Sequence, residues 1–316
     1  MAAAPAASPV ARPGAGARGL LFGSTAYLLW GVLPAYWPHL KPAGSLEILA
    51  HRMVWSLAVA VLIVTVTRRW AGVRAVLADR RAVTLLTAGA VLVGVNWGTF
   101  IWAVNHDRVV ETSLGYFVNP LFTIFLAVVV LGERLRRAQW VALSFGGAAI
   151  ALIAIDYGHP PWVAVSLAGS MGCYGLIKKS VGVPAHTGFV VETAVLCVPA
   201  LGYLLALHAT GRSTFGSHGA GHALLLTSTG VVTAVPLLLF SAAAGMLPLT
   251  TLGLLQYLAP ILQLIFGVTI FAEPLPVVEL IGFGLVWVAI GILTADMLRR
   301  PRTALTRRSP EPAALS

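Results

Sequence analysis

The chain has 316 residues, 58% hydrophobic and only 10% charged, with a net charge of +10. Soluble domains carry about 25% charged residues, so a water-facing exterior is excluded, and with it a soluble enzyme. The basic residues lie between apolar runs and on the two tails rather than on one folded face, which argues against nucleic acid as a partner and for membrane lipid.

In lipid the backbone must satisfy its own hydrogen bonds, leaving helices or a closed barrel. The apolar runs are long and unbroken, which selects helices over the short alternating segments of a barrel. Residues 1–18 are rich in Ala, Pro and Gly and read as a disordered N-terminal tail. Arg12 and Arg18 precede the first apolar run as in a signal peptide. That run continues through Tyr36 and others follow, so it reads as a retained span. At about 20 residues per crossing, the predicted spans are 19–37, 47–67, 82–104, 110–131, 138–156, 160–178, 186–207, 222–245, 250–272 and 277–298. Residues 299–316 form a basic tail, also expected to be disordered.

The expected fold class is therefore an all-α integral membrane protein with ten transmembrane helices. With the N-terminus in the cytoplasm, 17 Lys and Arg residues fall on the cytoplasmic side and 3 on the other, with Arg52 inside a span. That bias predicts both termini cytoplasmic.

The two halves align without gaps at an offset of 140 residues, VNPLFTIFLAVVVLGERL (118–135) falling on LAPILQLIFGVTIFAEPL (258–275). Pro120 then pairs with Pro260, Glu133 with Glu273 and Leu135 with Leu275. An odd number of spans per half inverts the second half relative to the first. The expected domains are a first five-helix repeat over 19–156 and an inverted second repeat over 160–298. Inverted repeats are characteristic of transporters that alternate access around a midplane site.

Polar residues inside spans are the candidates for that site. Glu47 and His51, at i and i+4, share one face of the second span, with Arg52 one step round; together they suit an anionic or zwitterionic cargo, a proton relay, or an interfacial anchor. In the third span Asn96 and Trp97 are deeper than Trp102 and Asn105, which read as interfacial, and Gly94 and Gly98 make a close-packing face. In the fourth span Glu111, Gly115 and Asn119 form a stripe flanked by Tyr116 and Pro120. A proline frees an upstream carbonyl, and Gln256, Tyr257 and Pro260 repeat the pattern in the ninth span. The symmetric prolines suggest kinked helices around a cavity, or kinks sealed by neighbours. Glu192 in the seventh span has no basic residue nearby in sequence and reads as a coupling carboxylate or a hydrogen-bonded structural group. Glu133, Glu273, Lys178 and Lys179 read as structural. Cys173 and Cys197 read as packing residues, with no disulfide framework. His208, His218 and His222 lie in or beside a Gly-rich loop expected to be flexible; they lack ligand spacing, so no metal is expected.

The segments WGVLPAYW (30–37), EILAHRMVWS (47–56), NWGTFIWAVN (96–105), SLGYFVNPL (113–121), LGERL (131–135), YGLIKK (174–179) and LGLLQYLAP (252–260) carry a resemblance. From about Gly19 to Asp296 the chain resembles the RarD-type branch of the EamA-domain drug/metabolite transporter superfamily. The second half departs more, with FAEPL where the first has LGERL. The resemblance implies a ten-helix bacterial inner-membrane transporter built from two five-helix repeats. Such proteins are often labelled chloramphenicol-sensitivity proteins, a label that fixes no cargo.

The expected function is a secondary transporter that exports a small organic metabolite or drug-like molecule across the plasma membrane. No Walker motif is present, so ATP is not read as its energy source and no cofactor is expected. A homodimer is a candidate assembly. The rival readings are a channel, a membrane scaffold and an intramembrane enzyme. The enzyme is disfavoured because the chain lacks both a GxSxG serine and facing aspartates.

Overall fold

Long apolar runs fold as helices because each turn satisfies its own amides without water. In the computed structural model, which describes residues 15–132, 135–244 and 246–298, the described elements are helical throughout. Helix α1 spans Ala15–Tyr36 and leads into a 3-10 turn at Trp37–Leu40. It is followed by α2 (Ser45–Val66), α3 (Trp70–Ala78), α4 (Arg80–Asn105), α5 (Val109–Leu131) and α6 (Arg137–Tyr157). The second half comprises α7 (Trp162–Val181), α8 (Ala185–Ala209), α9 (Gly219–Ala244), α10 (Leu249–Leu255), α11 (Leu258–Thr269) and α12 (Val277–Leu298).

Among the described residues, nine helical segments are long and apolar enough to cross a bilayer. The exception among the predicted spans is 160–178, which folds as α7. Its lysines, glycines and serines dilute the apolarity of its 20 residues. A second difference concerns 250–272, predicted as one span. The chain breaks at Gln256–Tyr257, between α10 and α11. Pro260 accounts for the position of the break, because a proline clashes with the carbonyl four residues before it, here that of Gln256. Pro260 then occupies the first turn of α11, where its missing N–H costs nothing. Pro120, by contrast, lies inside the uninterrupted α5. Glu133 falls outside the described residues.

Helix α1 packs on α9 and α11, α2 on α8 and α9, α4 on α7 and α8, α5 on α7 and α11, and α6 on α12. Small residues allow the closest approaches. A Cβ on Gly230 of α9 would strike the backbone of Trp55 on α2, and one on Gly115 of α5 would lie 3.0 Å from the Ala164 backbone of α7. Gly94 and Gly98 face Met53 and Leu196, and Leu49, so the GxxxG face of α4 receives α2 and α8.

Polar contacts between elements gather at the two ends of the bundle. One end holds Asn105 with Ser45 (3.2 Å), Tyr157 with Glu279 (2.6 Å) and Tyr36 with Ser228 (2.8 Å). The other holds Arg69 with His186 (3.3 Å) and the Arg136–Asp296 ion pair. Between the ends, side chains are apolar with few exceptions, and those exceptions define the site below.

Candidate functional site

Arg52 lies seven residues into α2, so its Cα is about 10 Å below the start of that helix. The residue is only 3% exposed. Its Nε donates to Thr233 Oγ1 of α9 at 2.9 Å. The Thr233 hydroxyl donates in turn to the Thr229 carbonyl (2.8 Å), which fixes an oxygen lone pair toward the guanidinium. The guanidinium carbon lies 3.9 Å from the ring centroid of Trp97 (α4) and 5.1 Å from that of Trp37 in the 3-10 turn. Among the described residues no carboxylate pairs with it.

Hydrogen bonds from neighbouring helices surround this centre. Asn96, beside Trp97, donates through Nδ2 to the Leu167 carbonyl and Ser170 Oγ of α7, both at 3.1 Å. Its Oδ1 accepts from the Tyr116 hydroxyl of α5 at 3.1 Å. One buried amide thus ties α4, α5 and α7 together and orients Tyr116. Tyr36 closes another side, donating to the Leu225 carbonyl of α9 at 2.8 Å. Of the predicted residues, Arg52, Asn96, Trp97 and Tyr116 converge here.

Glu47 and His51 point elsewhere. Glu47 Oε1 accepts the Thr214 amide at 2.8 Å, and His51 stacks on Phe215 with centroids 4.9 Å apart. The Gly-rich loop expected to be flexible is therefore docked on α2, with His222 Nε2 bonded to Thr214 Oγ1 at 3.0 Å. Both His51 ring nitrogens are buried without a partner.

Glu111 accepts the Val163 amide at 3.0 Å and lies 3.4 Å from Arg108. It therefore caps the N-terminus of α7, whose first amides lack helical partners. Glu273 does the same for α5, accepting from Val109 and Val110, the latter at 2.8 Å. Burial pushes the Glu273 carboxyl above its ordinary range, against those two hydrogen bonds. Asn119 and Gln256 are half-buried, and Asn119 Oδ1 has no partner. Pro260 is buried, its carbonyl accepting from Ser113 at 2.8 Å, while Tyr257 stacks on Phe117. Ser113 and Phe117 of α5 thus contact the chain beside the break.

Glu192 does have a basic partner. Lys178 Nζ lies 3.0 Å from its Oε1, and the Tyr174 hydroxyl donates to Oε2 at 3.1 Å. The α7–α8 turn brings these residues together although 14 positions separate Lys178 from Glu192.

Two cavities flank the bundle. One of about 200 Å³ is lined by Ile63, Arg69, His186, Phe189 and Leu237, the other of about 290 Å³ by Asp107, Arg108, Glu111, Tyr157, Glu273 and Glu279. Neither is lined by Arg52, whose side chain is buried between α2, α4 and α9. Sequence reasoning missed Trp37, Tyr36 and Thr233 as neighbours of Arg52. Trp37 and Tyr36 end the WGVLPAYW segment. Thr233 carries no charge and gives no signal of its own.

The profile of the EamA-like transporter family matches residues 17–155. Protein RarD of Streptomyces exfoliatus is 53% identical over 92% of each chain. Protein RarD of Salmonella typhi is 39% identical, over 90% of this chain and 97% of its own. A crystal structure of a protein 19% identical in sequence superposes with a TM-score of 0.57, covering 90% of this chain and 99% of its own, and so shares the fold.

Proposed function

The chain belongs to the EamA-like transporter family, in its RarD-type group, and from that premise we propose that it is a secondary transporter that exports a small organic molecule by alternating access. It is a multi-pass bacterial membrane protein. The observation that carries the proposal is the burial of Arg52 at the junction of helices from both halves of the chain. Arg52, Trp37, Trp97 and Tyr116 come from the first half and Thr233 from the second. A charge held in the interior of a membrane bundle is expensive and marks a ligand or ion path by default.

Ten crossings in two inverted repeats are part of this reading, with α7 as the tenth. Support comes from helix starts that recur at the sequence offset: α2 and α8 begin at 45 and 185, α5 and α10 at 109 and 249, α6 and α12 at 137 and 277. The packing pairs exchange in the same way, α1 on α9 and α11 in one half answering α7 on α4 and α5 in the other. A site between two such halves reaches either side of the membrane when they rock against each other. Cytoplasmic termini are part of the same reading, supported by the Lys/Arg distribution.

A deletion strain and its complemented parent, compared across an uptake and efflux panel of metabolites and drugs, test the function. Accumulation of at least one compound is expected to fall on complementation. Identical profiles across the panel would count against export. Reporter fusions at the C-terminus and at Gly216 test the topology and are expected to report opposite sides.

A further inference from the structure

We propose that the cargo is a small organic monocarboxylate whose carboxylate is received by the Arg52 guanidinium. This deepens the transporter reading and rests on it. A buried charge without a counter-ion is strongly unfavourable. The cation–π contacts and the bond to the uncharged Thr233 hydroxyl offset part of that cost. These contacts hold the guanidinium in place without neutralising it; an anion does that. Geometry narrows the class further. Trp97 and Trp37 lie against the guanidinium and Nε is spent on Thr233, which leaves the terminal N–H groups as a planar fork for bidentate oxygens. The charge count narrows it again. Lys178 and Arg108 are engaged by Glu192 and Glu111, which leaves Arg52 as the cation of this centre among the described residues. A single guanidinium balances a monocarboxylate but not a phosphate monoester, which carries about −1.5 to −2.

The test uses the full-length protein purified in detergent, with acetate, hexanoate and benzoate as probes and their primary amides as neutral counterparts. Binding is read from intrinsic tryptophan fluorescence, since Trp97 and Trp37 bracket the site. At least one carboxylate is expected to bind saturably and at least tenfold more tightly than its amide. Arg52→Gln is expected to remove that preference, and Arg52→Lys, which lacks the planar fork, to weaken binding at least tenfold. The carboxylate-against-amide comparison on the parent protein stands even if a variant fails to fold. Amides binding as tightly as the acids, or no probe binding at all, would overturn the proposal. Flux in liposomes separates the two readings. Arg52-dependent carboxylate binding without flux leaves the site standing and removes transport. Flux of a neutral or cationic compound that is unaltered by Arg52→Gln leaves transport standing and removes the carboxylate site.

Discussion

Arg52 and Thr233 stand 181 positions apart in the chain and meet at 2.9 Å, the Nε of one donating to the hydroxyl of the other. This bond links the two halves inside the bundle, at a buried charge that no carboxylate pairs among the described residues. Replacing Thr233 by Val keeps the shape and removes the acceptor. Losing a hydrogen bond to a charged group costs about 1.5–3 kcal/mol. The variant should insert normally, lose several degrees of Tm in detergent, and transport its cargo several-fold more slowly. An unchanged Tm and rate would mean that the bond holds nothing.

Glu47 separates a capping role from a relay role. Its Oε1 accepts the Thr214 amide, and a glutamine carbonyl accepts the same proton. Glu47→Gln should therefore retain transport, whereas Glu47→Ala should release the docked loop. Hydrogen exchange over residues 212–217 reads the loop directly. Faster exchange is expected in the alanine variant only. Abolished transport in a well-inserted Glu47→Gln protein would assign proton or cargo chemistry to this carboxylate.

Lys178 and Glu192 form a partly buried ion pair, with Lys178 24% exposed. Removing one partner leaves the other charge stranded, which costs more than removing both. A cycle of Lys178→Met, Glu192→Leu and the double variant should show the double variant closer to the parent in Tm than the Glu192→Leu variant is. Additive losses would make the two residues independent.

Glu273 sits between α11 and α12, outside the apolar segments, with Asp107 and Glu111 adding to the effect of burial on its carboxyl. Its folded pKa lies above its unfolded one, so folding favours the protonated form. That contribution is complete below the ordinary carboxylate range and is lost as pH rises through the raised value. Glu273→Gln removes the dependence. The Tm of the parent should therefore fall relative to that of the variant as pH rises through this window. Parallel Tm–pH profiles would remove the titration from the account.

Most of the helices were legible in the sequence because lipid leaves a long apolar run no other conformation. Predicted starts at 110, 138 and 186 differ from the observed 109, 137 and 185 by one residue each. The interruption at Gln256 was less legible. Pro120 and Pro260 look equivalent in sequence, yet only the second breaks its helix. The site was legible as separate residues and illegible as a group. Adjacency in sequence joined Arg52 to Glu47 and His51, but one residue is about 100° of helix rotation, which turns Arg52 toward α4 and α9 and leaves the other two under the loop. Thr233 has no charge or special spacing to mark it, and the partner of Glu192 is visible only once the α7–α8 turn is folded.

The central claim is that cargo crosses through the Arg52 centre by alternating access. Counterflow measures this most directly: purified protein in liposomes preloaded with unlabelled cargo, uptake of labelled cargo followed over time. The account expects uptake that saturates with concentration, accelerates with cargo on the far side, and disappears in Arg52→Gln protein inserted at the parent level. Uptake linear in concentration and indifferent to cargo on the far side, or undiminished in Arg52→Gln, would contradict it.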